Sequence, residues 1–469
     1  MIILREHQDD FIASIRNAFK THKAVLAQAP VGFGKTIISA FMANRVIEKN
    51  GSMYFCVHTK DLITQTYKAF SKFNIQYGFI AADYYSNKNP IQICSINTLK
   101  NRLTKYPAPT LVVIDECHFC GAAGWAKMVA YYKSKGCYIL GLSASPWRMS
   151  NEGLEDHFDV MVHGKSTRWL IDNKYLSQYK LYVPSEPNLS KTHVRMGDYV
   201  QSEIEKIMDK PTITGCAITH WRKYADGKRT IAFCISIEHS KHTAAQFNAS
   251  GVPAAHLDGE CTREERQKVI NDFADGKIKV ITNCYLFSAG FDLSLQVDRD
   301  ITVEAVILLR PSQSLSLFIQ MTGRALRYKD YPAIILDHAG MTHQHGFPCQ
   351  DREWTLKGRD KSKSKSASSV SVRICSKCFM AVQSFMKSCP GCGFVFEIKS
   401  REVEHVDGEL REVNPNEVVH KYDRINENWQ AKTFNELVEI GKRRGYKSPY
   451  AWAKFTFNAR QAKKLQGVK

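Results

Sequence analysis

The sequence predicts an α/β protein: two doubly wound parallel-sheet domains in tandem, then a small cysteine ribbon and a helical tail. Three observations carry that expectation. Short apolar runs alternate with amphipathic helical stretches twice over, a glycine-rich turn joins the first strong strand to a helix, and two CxxC pairs lie ten residues apart near the carboxyl end.

Over residues 1–165, VLAQAP, SMYFCVH, IQICSI, LVVID and YILGLSA are short, apolar and rich in strand-forming residues, with helical-period segments between them. Strands so apolar throughout suit a parallel sheet covered on both faces. STRWLIDNKYLS reads as a helical lead-in, and 166–226 is expected to be a helical connection that includes GDYVQSEIEKIMDK and a tryptophan-containing helix. RTIAFCIS, PAAHLDG, IKVITNC, EAVILLR and AIILDH repeat the strand pattern over 227–345. Within 346–372, KGRDKSKSKSASS has no apolar period and predicts a solvated basic linker, able also to brush phosphates. A ribbon follows at 373–400, and 401–469 predicts a tail with two helices joined at Gly445 to Pro449. No solenoid-length repeat is present.

With 469 residues, 44% of them hydrophobic, the chain can build about three domains with real cores. Lys and Arg number 65 against 46 Asp and Glu, a net charge of +19 that favours a polyanionic partner. An acidic membrane is the rival, yet no apolar run approaches the roughly 18 residues of a spanning helix. MIILREHQDD also turns acidic too early for a signal peptide. The expectation is a soluble cytoplasmic protein with no membrane partner. Fourteen cysteines, ten of them outside the ribbon, fit a reducing compartment.

Four stretches fit parts of one ATP-hydrolysing site. APVGFGKT at 29–36 lies between a strand and a helix, where Gly32 and Gly34 let backbone N–H groups approach phosphates. Lys35 adds charge for the β and γ oxygens, and the Thr36 hydroxyl can ligate magnesium. Ala29 stands where the commonest pattern has its first glycine. LVVID delivers Asp115, a magnesium ligand, and Glu116, placed to orient and deprotonate water, to a strand's carboxyl end. SAS at 143–145 is the third. In QMTGRALR at 320–327, Arg324 and Arg327 are three apart, hence expected on one helical face with Gln320 a turn earlier, and can stabilise developing γ-phosphate charge. Cys117 and Cys120 form a CxxC without a second pair nearby, and His343, His345 and Cys349 supply only three candidates in a turn; neither is read as a metal site.

With these motifs the chain resembles the superfamily 2 DEAD/DEAH-box helicases, and most closely the RadD-like bacterial and phage group with a C-terminal zinc ribbon. The resemblance spans roughly residues 1–345 and implies two RecA-like domains closing on one ATP. In LREHQ it implies that Arg5 and Gln8 touch the adenine, with His7 where the family often has an aromatic residue. VHTKDLITQ and SINTL resemble strand-gripping motifs, implying backbone contacts from Thr59, Gln65 and Thr98. SASPWR is similar to the coupling motif usually written with threonine, here Ser145. FCISIEHS, HLDG and TNCYLFSAGFDL resemble second-domain motifs, with Gly290 and Asp292 at the nucleotide cleft. The implied activity is that of an ATP-dependent DNA helicase or translocase, on forked or branched DNA and independent of sequence, in replication, recombination or repair. Remodelling of protein–DNA complexes, or action on RNA, is the alternative. A non-hydrolysing scaffold fits poorly with an intact Glu116 and both arginines.

In CSKCFMAVQSFMKSCPGCGF, Cys375, Cys378, Cys389 and Cys392 have the spacing of a tetrahedral four-thiolate zinc site. A segment with so little core would draw its folding free energy from the metal. In the tail, Tyr446, Tyr450, Trp452, Phe455 and Phe457, interleaved with basic residues, suit base stacking or a small core equally.

Overall fold

The first strands are buried along nearly their whole length, and this dictates the architecture: both faces of each sheet must be covered by helices. The computed structural model describes every residue except 1, 122, 148–151, 184–186, 188, 190–191, 196–197, 285, 287–292, 298, 359–371, 397–430, 432, 447 and 467–469. In the first lobe, α1 (Glu6–Ala18), β1 (Ala24–Gln28), α2 (Lys35–Glu48), β2 (Met53–Val57), α3 (Lys60–Lys72), β3 (Gly78–Ile80), β4 (Ile91–Ser95), α4 (Ile96–Leu99), β5 (Leu111–Asp115), α5 (Ala123–Ser134), β6 (Tyr138–Ser143) and β7 (Val160–His163) follow in order. The strands form a parallel sheet of seven, β3-β4-β2-β5-β6-β1-β7, with β1 and β2 buried at all five positions. β1 lies between β6 and β7 near one edge, so the loop after it opens at the carboxyl ends of the strands, where ligands of such sheets collect.

The second lobe runs through α6 (Thr167–Asp172), β8 (Tyr179–Tyr182), β9 (Val194–Arg195), β10 (Asp198–Tyr199), α7 (Gln201–Met208), α8 (Pro211–Ala225), β11 (Thr230–Phe233), α9 (Ile237–Ala249), β12 (Ala254–Leu257), α10 (Arg263–Ala274), β13 (Val280–Asn283), α11 (Leu293–Val297), β14 (Ala305–Leu308), α12 (Leu315–Gly323), β15 (Ala333–Asp337) and α13 (Met341–His345). Its main sheet has six parallel strands, β12-β13-β11-β14-β15-β8. Side-chain caps set several helix starts: Ser314 accepts from Leu317 N, and Thr262 with Glu265 forms a capping box at α10. The ribbon pairs β16 (Val372–Ile374) with β17 (Ala381–Gln383) in antiparallel fashion.

Three features differ from the sequence reading. The connection over 166–226 is not wholly helical, because β8 within it pairs with β15 as the edge strand of the second sheet. β3 and β7 widen the first sheet beyond the five expected strands. Residues 346–358, assigned to the linker, instead return from the second lobe to the first. Trp354 packs edge-on against Trp147 at 4.6 Å, Trp147 Nε1 donates to Thr355 O at 3.0 Å, and Leu154 N donates to Leu356 O at 2.7 Å. Aromatic burial and backbone pairing outweigh the local polarity that suggested a free linker. The Lys/Ser run at 359–369 lies outside the described residues.

Residues 399–469 form a separate unit. In it, α14 (Phe434–Arg443), opened by a Thr433–Glu436 capping box, packs on α15 (Pro449–Gln466). Leu437, Ile440 and Ala453 make its core, with Trp452 and Phe457 against them, whereas Tyr450 and Phe455 stay exposed at 64% and 77%. The tail aromatics are therefore divided between a core and an open surface.

Removing the indole of Trp354 should free the returning strap while leaving both sheets intact. In a Trp354→Ala protein, trypsin is expected to cut after Arg352 or Lys357 several-fold faster than in wild type. Equal cleavage rates in a time course would show that the strap is not held by this contact.

Candidate ATP and nucleic-acid site

The phosphate loop forms where β1 ends. Ala29, fully buried, extends the strand by donating its N–H to Ser143 O at 3.0 Å, which accounts for a non-glycine residue there. Gly32 and Gly34 are left-handed at φ +83° and +97°, and Gly34 caps α2. A Cβ on Gly34 would fall 2.4 Å from Gln8 Nε2, and one on Gly32 2.6 Å from Leu176 Cδ2. Lys35 is the first helical residue and Thr36 the second, so their N–H groups have no intrahelical acceptor and the helix dipole adds positive potential. The Lys35 ammonium folds over the loop and donates to Ala29 O at 3.3 Å. This is an anion cradle built from backbone, with one mobile cation above it.

β5 brings Asp115 and Glu116 to the same edge. Glu116 is itself left-handed at φ +50°, a strained conformation for a side chain, and its N–H donates to Asp115 Oδ1 at 3.0 Å. Its carboxylate is buried, with Oε2 3.3 Å from His118 Nδ1 and otherwise unpartnered. At that length the pair is an electrostatic contact more than an aligned hydrogen bond. His118 Nδ1 also lies 3.2 Å from Ser143 Oγ, which in turn accepts from Ser145 N at 3.2 Å. Burial penalises the charge on Glu116, but His118 and Lys35 overcome it and hold the carboxyl below its ordinary range, so it is ionised at neutral pH. Asp115 goes the other way: burial deep in the cleft and then the neighbouring Glu116 charge push it up to about 6, although it keeps partial contact with solvent. Two adjacent carboxylates thus differ in proton affinity, as an acid–base site requires. Cys117 and Cys120 are wholly buried, and burial raises both thiols; this CxxC is core.

The second lobe closes on this edge. Gly323, the last residue of α12, sits directly on the phosphate loop: an added Cβ would lie 2.7 Å from Val31 Cγ1. Ser145 Oγ donates to Ser316 Oγ of α12 at 2.6 Å. Gln320 is buried, with Nε2 lacking a hydrogen-bond partner. The helix ends at Gly323, so Arg324 and Arg327 do not share a helical face as the spacing suggested. Arg324, 9% exposed, is the helix cap, and Arg327 lies in extended backbone bridged to Leu176. The lobe connection imposes that ending, since Ser177 N donates to Leu326 O at 2.9 Å and Ser177 Oγ to Arg327 O at 2.9 Å. A cavity of 350 Å³ beside the loop is lined by Gln28, Pro30, Ala144 and Ile319, with Arg352 and Trp354 of the strap.

Other residues singled out by sequence meet mixed fates. Gln8 has its amide committed at both ends, accepting from Arg5 N at 3.0 Å and donating to Phe33 O at 2.9 Å, which ties α1 to the loop. The Arg5 guanidinium lies 5.1 Å over the Tyr175 ring. Sequence reasoning gave no role to Tyr175 or to His7, whose buried ring packs against Tyr175 at 4.3 Å and Phe33 at 5.0 Å. Of the three strand-gripping candidates, Thr59 is exposed but caps α3 by accepting from Leu62 N, Thr98 is half-buried, and Gln65 is buried with Nε2 unpartnered. Gln65 faces inward because it lies on the core side of α3, so its amide is not at the surface. Gly290 and Asp292 lie outside the described residues. Sequence reasoning also missed Arg266 of α10, whose Nη1 donates to both carboxylate oxygens of Asp61 of α3 at 3.0 and 3.1 Å, and Lys68, which donates to Gln296 O at 3.1 Å.

In the ribbon, Cys375 and Cys392 sulfurs are 3.6 Å apart, Cys378 and Cys389 3.5 Å, and all four lie within 4.8 Å of one another. Four thiolates around zinc at ~2.3 Å would stand about 3.8 Å apart, so the set is compatible with that metal. The ribbon docks on the second lobe, with Val183 N donating to Phe379 O at 2.9 Å and Tyr224 OH to Cys378 O at 2.8 Å.

The profile of the family described as "Type III restriction enzyme, res subunit" matches residues 1–148, and "Helicase conserved C-terminal domain" matches 210–329. A 51.5 kDa protein of Lactococcus phage (isolate 7-9) is 32% identical over 427 residues, covering 89% of this chain and 90% of the relative. The chain belongs to the superfamily 2 helicases. The helicase is also 25% identical over 360 residues to IRC3 of Saccharomyces cerevisiae, named as a candidate ATP-dependent helicase, covering 71% of this chain and 51% of IRC3. It spans about half the length of that relative. A fragment of a candidate HsdR subunit of a type I restriction enzyme from Vibrio vulnificus YJ016 shares the fold, with TM-score 0.56, 19% identity and coverage of 73% of this chain and 66% of that one. The helicase is an ATP-hydrolysing enzyme acting on nucleic acid, built on two RecA-like lobes. None of its described helices is long and apolar enough to cross a membrane.

Two outcomes follow. If Asp115 holds magnesium, a proton on it competes with the ion, so the apparent magnesium affinity of ATPase should be flat above neutrality and weaken as pH falls through about 6, approaching roughly tenfold per unit. Glu116, held low, adds no titration in that window, and a magnesium dependence unchanged from pH 7.5 to 5.5 would contradict the assignment. Gly323→Val should wedge the lobes apart at Val31 and lower kcat about 10- to 100-fold, the scale of a 1–3 kcal/mol overpacking cost. Steady-state ATPase beside circular dichroism separates this from unfolding.

Proposed function

We propose that the chain is an ATP-dependent DNA helicase or translocase of the RadD-like group, acting without sequence preference on single-stranded or branched DNA in replication, recombination or repair. The observation that carries this reading is the seating of Gly323 on Val31, because it brings the Arg324 turn to the phosphate loop. In this reading residues 1–165 bind ATP, 227–345 supply the opposing wall, and 373–400 are a zinc ribbon held by Cys375, Cys378, Cys389 and Cys392. DNA is favoured over RNA by the family resemblance, and the net charge of +19 suits either polymer.

In this reading each residue of the cleft has a role. The N–H groups between Gly32 and Thr36 and the Lys35 ammonium hold the β and γ phosphates. Thr36 and Asp115 would hold magnesium, directly or through water, and that ion would neutralise phosphate charge. Glu116, ionised and desolvated, orients a water and takes its proton; His118 helps keep the carboxylate charged. Gln320, with its free amide N–H, is assigned to the γ-phosphate from the second lobe together with Arg324 and Arg327. Ser145, bonded to Ser316, carries the change at the loop into α12. Arg5 and Gln8 belong to the adenine end, and Gly290 and Asp292 are assigned to the cleft by the resemblance alone. Thr59 and Thr98 are the candidates for the DNA face.

The test is DNA-stimulated phosphate release paired with strand displacement. Lys35→Ala is expected to abolish hydrolysis and keep DNA binding, while Arg324→Ala should keep ATP binding and lose about 10³-fold or more in kcat. DNA affinity should fall steeply with salt for every sequence tested. Full activity in Arg324→Ala, or stimulation by RNA alone, would refute this reading.

A further inference from the structure

We propose that Cys216, His220 and His338 bind a second zinc ion, distinct from the one assigned to the four-cysteine ribbon. Cys216 and His220 are four residues apart on α8, so one helical face presents both, and His338 directly follows β15, on which α8 packs. One donor atom from each lies within 4.8 Å of the other two. Cys216 Sγ and His220 Nδ1 are 3.3 Å apart, and tetrahedral zinc with bonds of ~2.3 Å to sulfur and ~2.0–2.1 Å to nitrogen sets such a pair about 3.5 Å apart.

His338 supplies the independent observation. Its side chain is 0% exposed, and neither ring nitrogen has a hydrogen-bond partner. Such desolvation goes uncompensated; His7 and His239 are likewise buried with both ring nitrogens unpartnered, but of the three only His338 meets a thiol and a second imidazole within 4.8 Å among the described residues. Packing alone does not explain it: the His220 and His338 rings lie 5.3 Å apart with a 36° tilt, and that contact engages neither nitrogen of His338. One sulfur and two nitrogens suit zinc's borderline softness, and the fourth position is left to water or an incoming ligand.

The position in the fold gives this site a task. Tyr224, a further turn along the same face of α8, donates to Cys378 O, and the His220 ring lies 5.8 Å from Phe379 of the ribbon. An ion at Cys216, His220 and His338 clips α8 to the end of β15 and stiffens the surface on which the ribbon sits.

The full chain, equilibrated with zinc and freed of unbound metal, is expected to carry two zinc ions by mass spectrometry. C216S/H220Q should carry one and keep its ATPase, and C389S/C392S should also carry one. Cobalt loaded into C389S/C392S should show a thiolate charge-transfer band that C216S removes. A zinc content of one in wild type, or wild-type content in C216S/H220Q, overturns the second site. So does cobalt in C389S/C392S without a thiolate band. Loss of ATPase dependence on Lys35 would leave this metal count unaffected, so the two readings fail separately.

Discussion

The contact between Gly323 and Val31 is the constraint on which the closed site depends. Only a residue without Cβ lets the end of α12 reach the phosphate loop, and one residue later the chain carries Arg324. Around that contact the lobes are joined by Ser145–Ser316, by Arg266–Asp61 and by Lys68 to Gln296. A hydrogen bond contributes roughly 0.5–1.5 kcal/mol net, and a partly exposed ion pair ~0–1 kcal/mol. A handful of such terms is comparable with what a triphosphate binding both lobes can supply. The interface is therefore tight enough to define one closed geometry and weak enough for hydrolysis to reopen it.

Electrostatics divide labour inside that closed geometry. Asp115 and Glu116 are neighbours on one strand end, yet His118 and Lys35 lower one while burial raises the other. The left-handed backbone at Glu116 adds local strain at the same point of the chain. His118 does more than follow the acidic pair. Through Ser143 it is one step from Ser145, and Ser145 bonds α12, so a continuous polar path joins the surroundings of Glu116 to the opposing lobe.

Local chemistry was legible in the sequence; edges and returns were not. APVGFGKT, LVVIDE and the two CxxC pairs each encode their geometry within a few residues, and the structure brings together what they imply. β7, whose VMVH is only half-buried, and β8, reading YKLY, gave weak signals because edge strands lack the continuous burial that marks central ones. The strap at 346–358 is held by Trp147 and Leu154, some two hundred residues away, which no local pattern reports. The end of α12 at Gly323 was missed for the same reason: Ser177, from a distant segment, takes the backbone groups of Leu326 and Arg327 that a longer helix would need. His338 closes the AIILDH run, and its meeting with Cys216 and His220 of a distant helix is reported by no local pattern.

The ribbon's attachment resolves a problem that the topology creates. β8 leaves an open edge on the second sheet, with unpaired backbone groups that invite association. Phe379 accepts from Val183 N, and Met380 bridges Tyr182, so the turn between the ribbon's cysteine pairs covers the end of that edge. Tyr224 stacks on Tyr182 at 4.0 Å and reaches Cys378 O, adding α8 to the same joint. The ribbon is thereby bonded to the second lobe at the edge strand and at α8 together, two attachments that a free tether would lack.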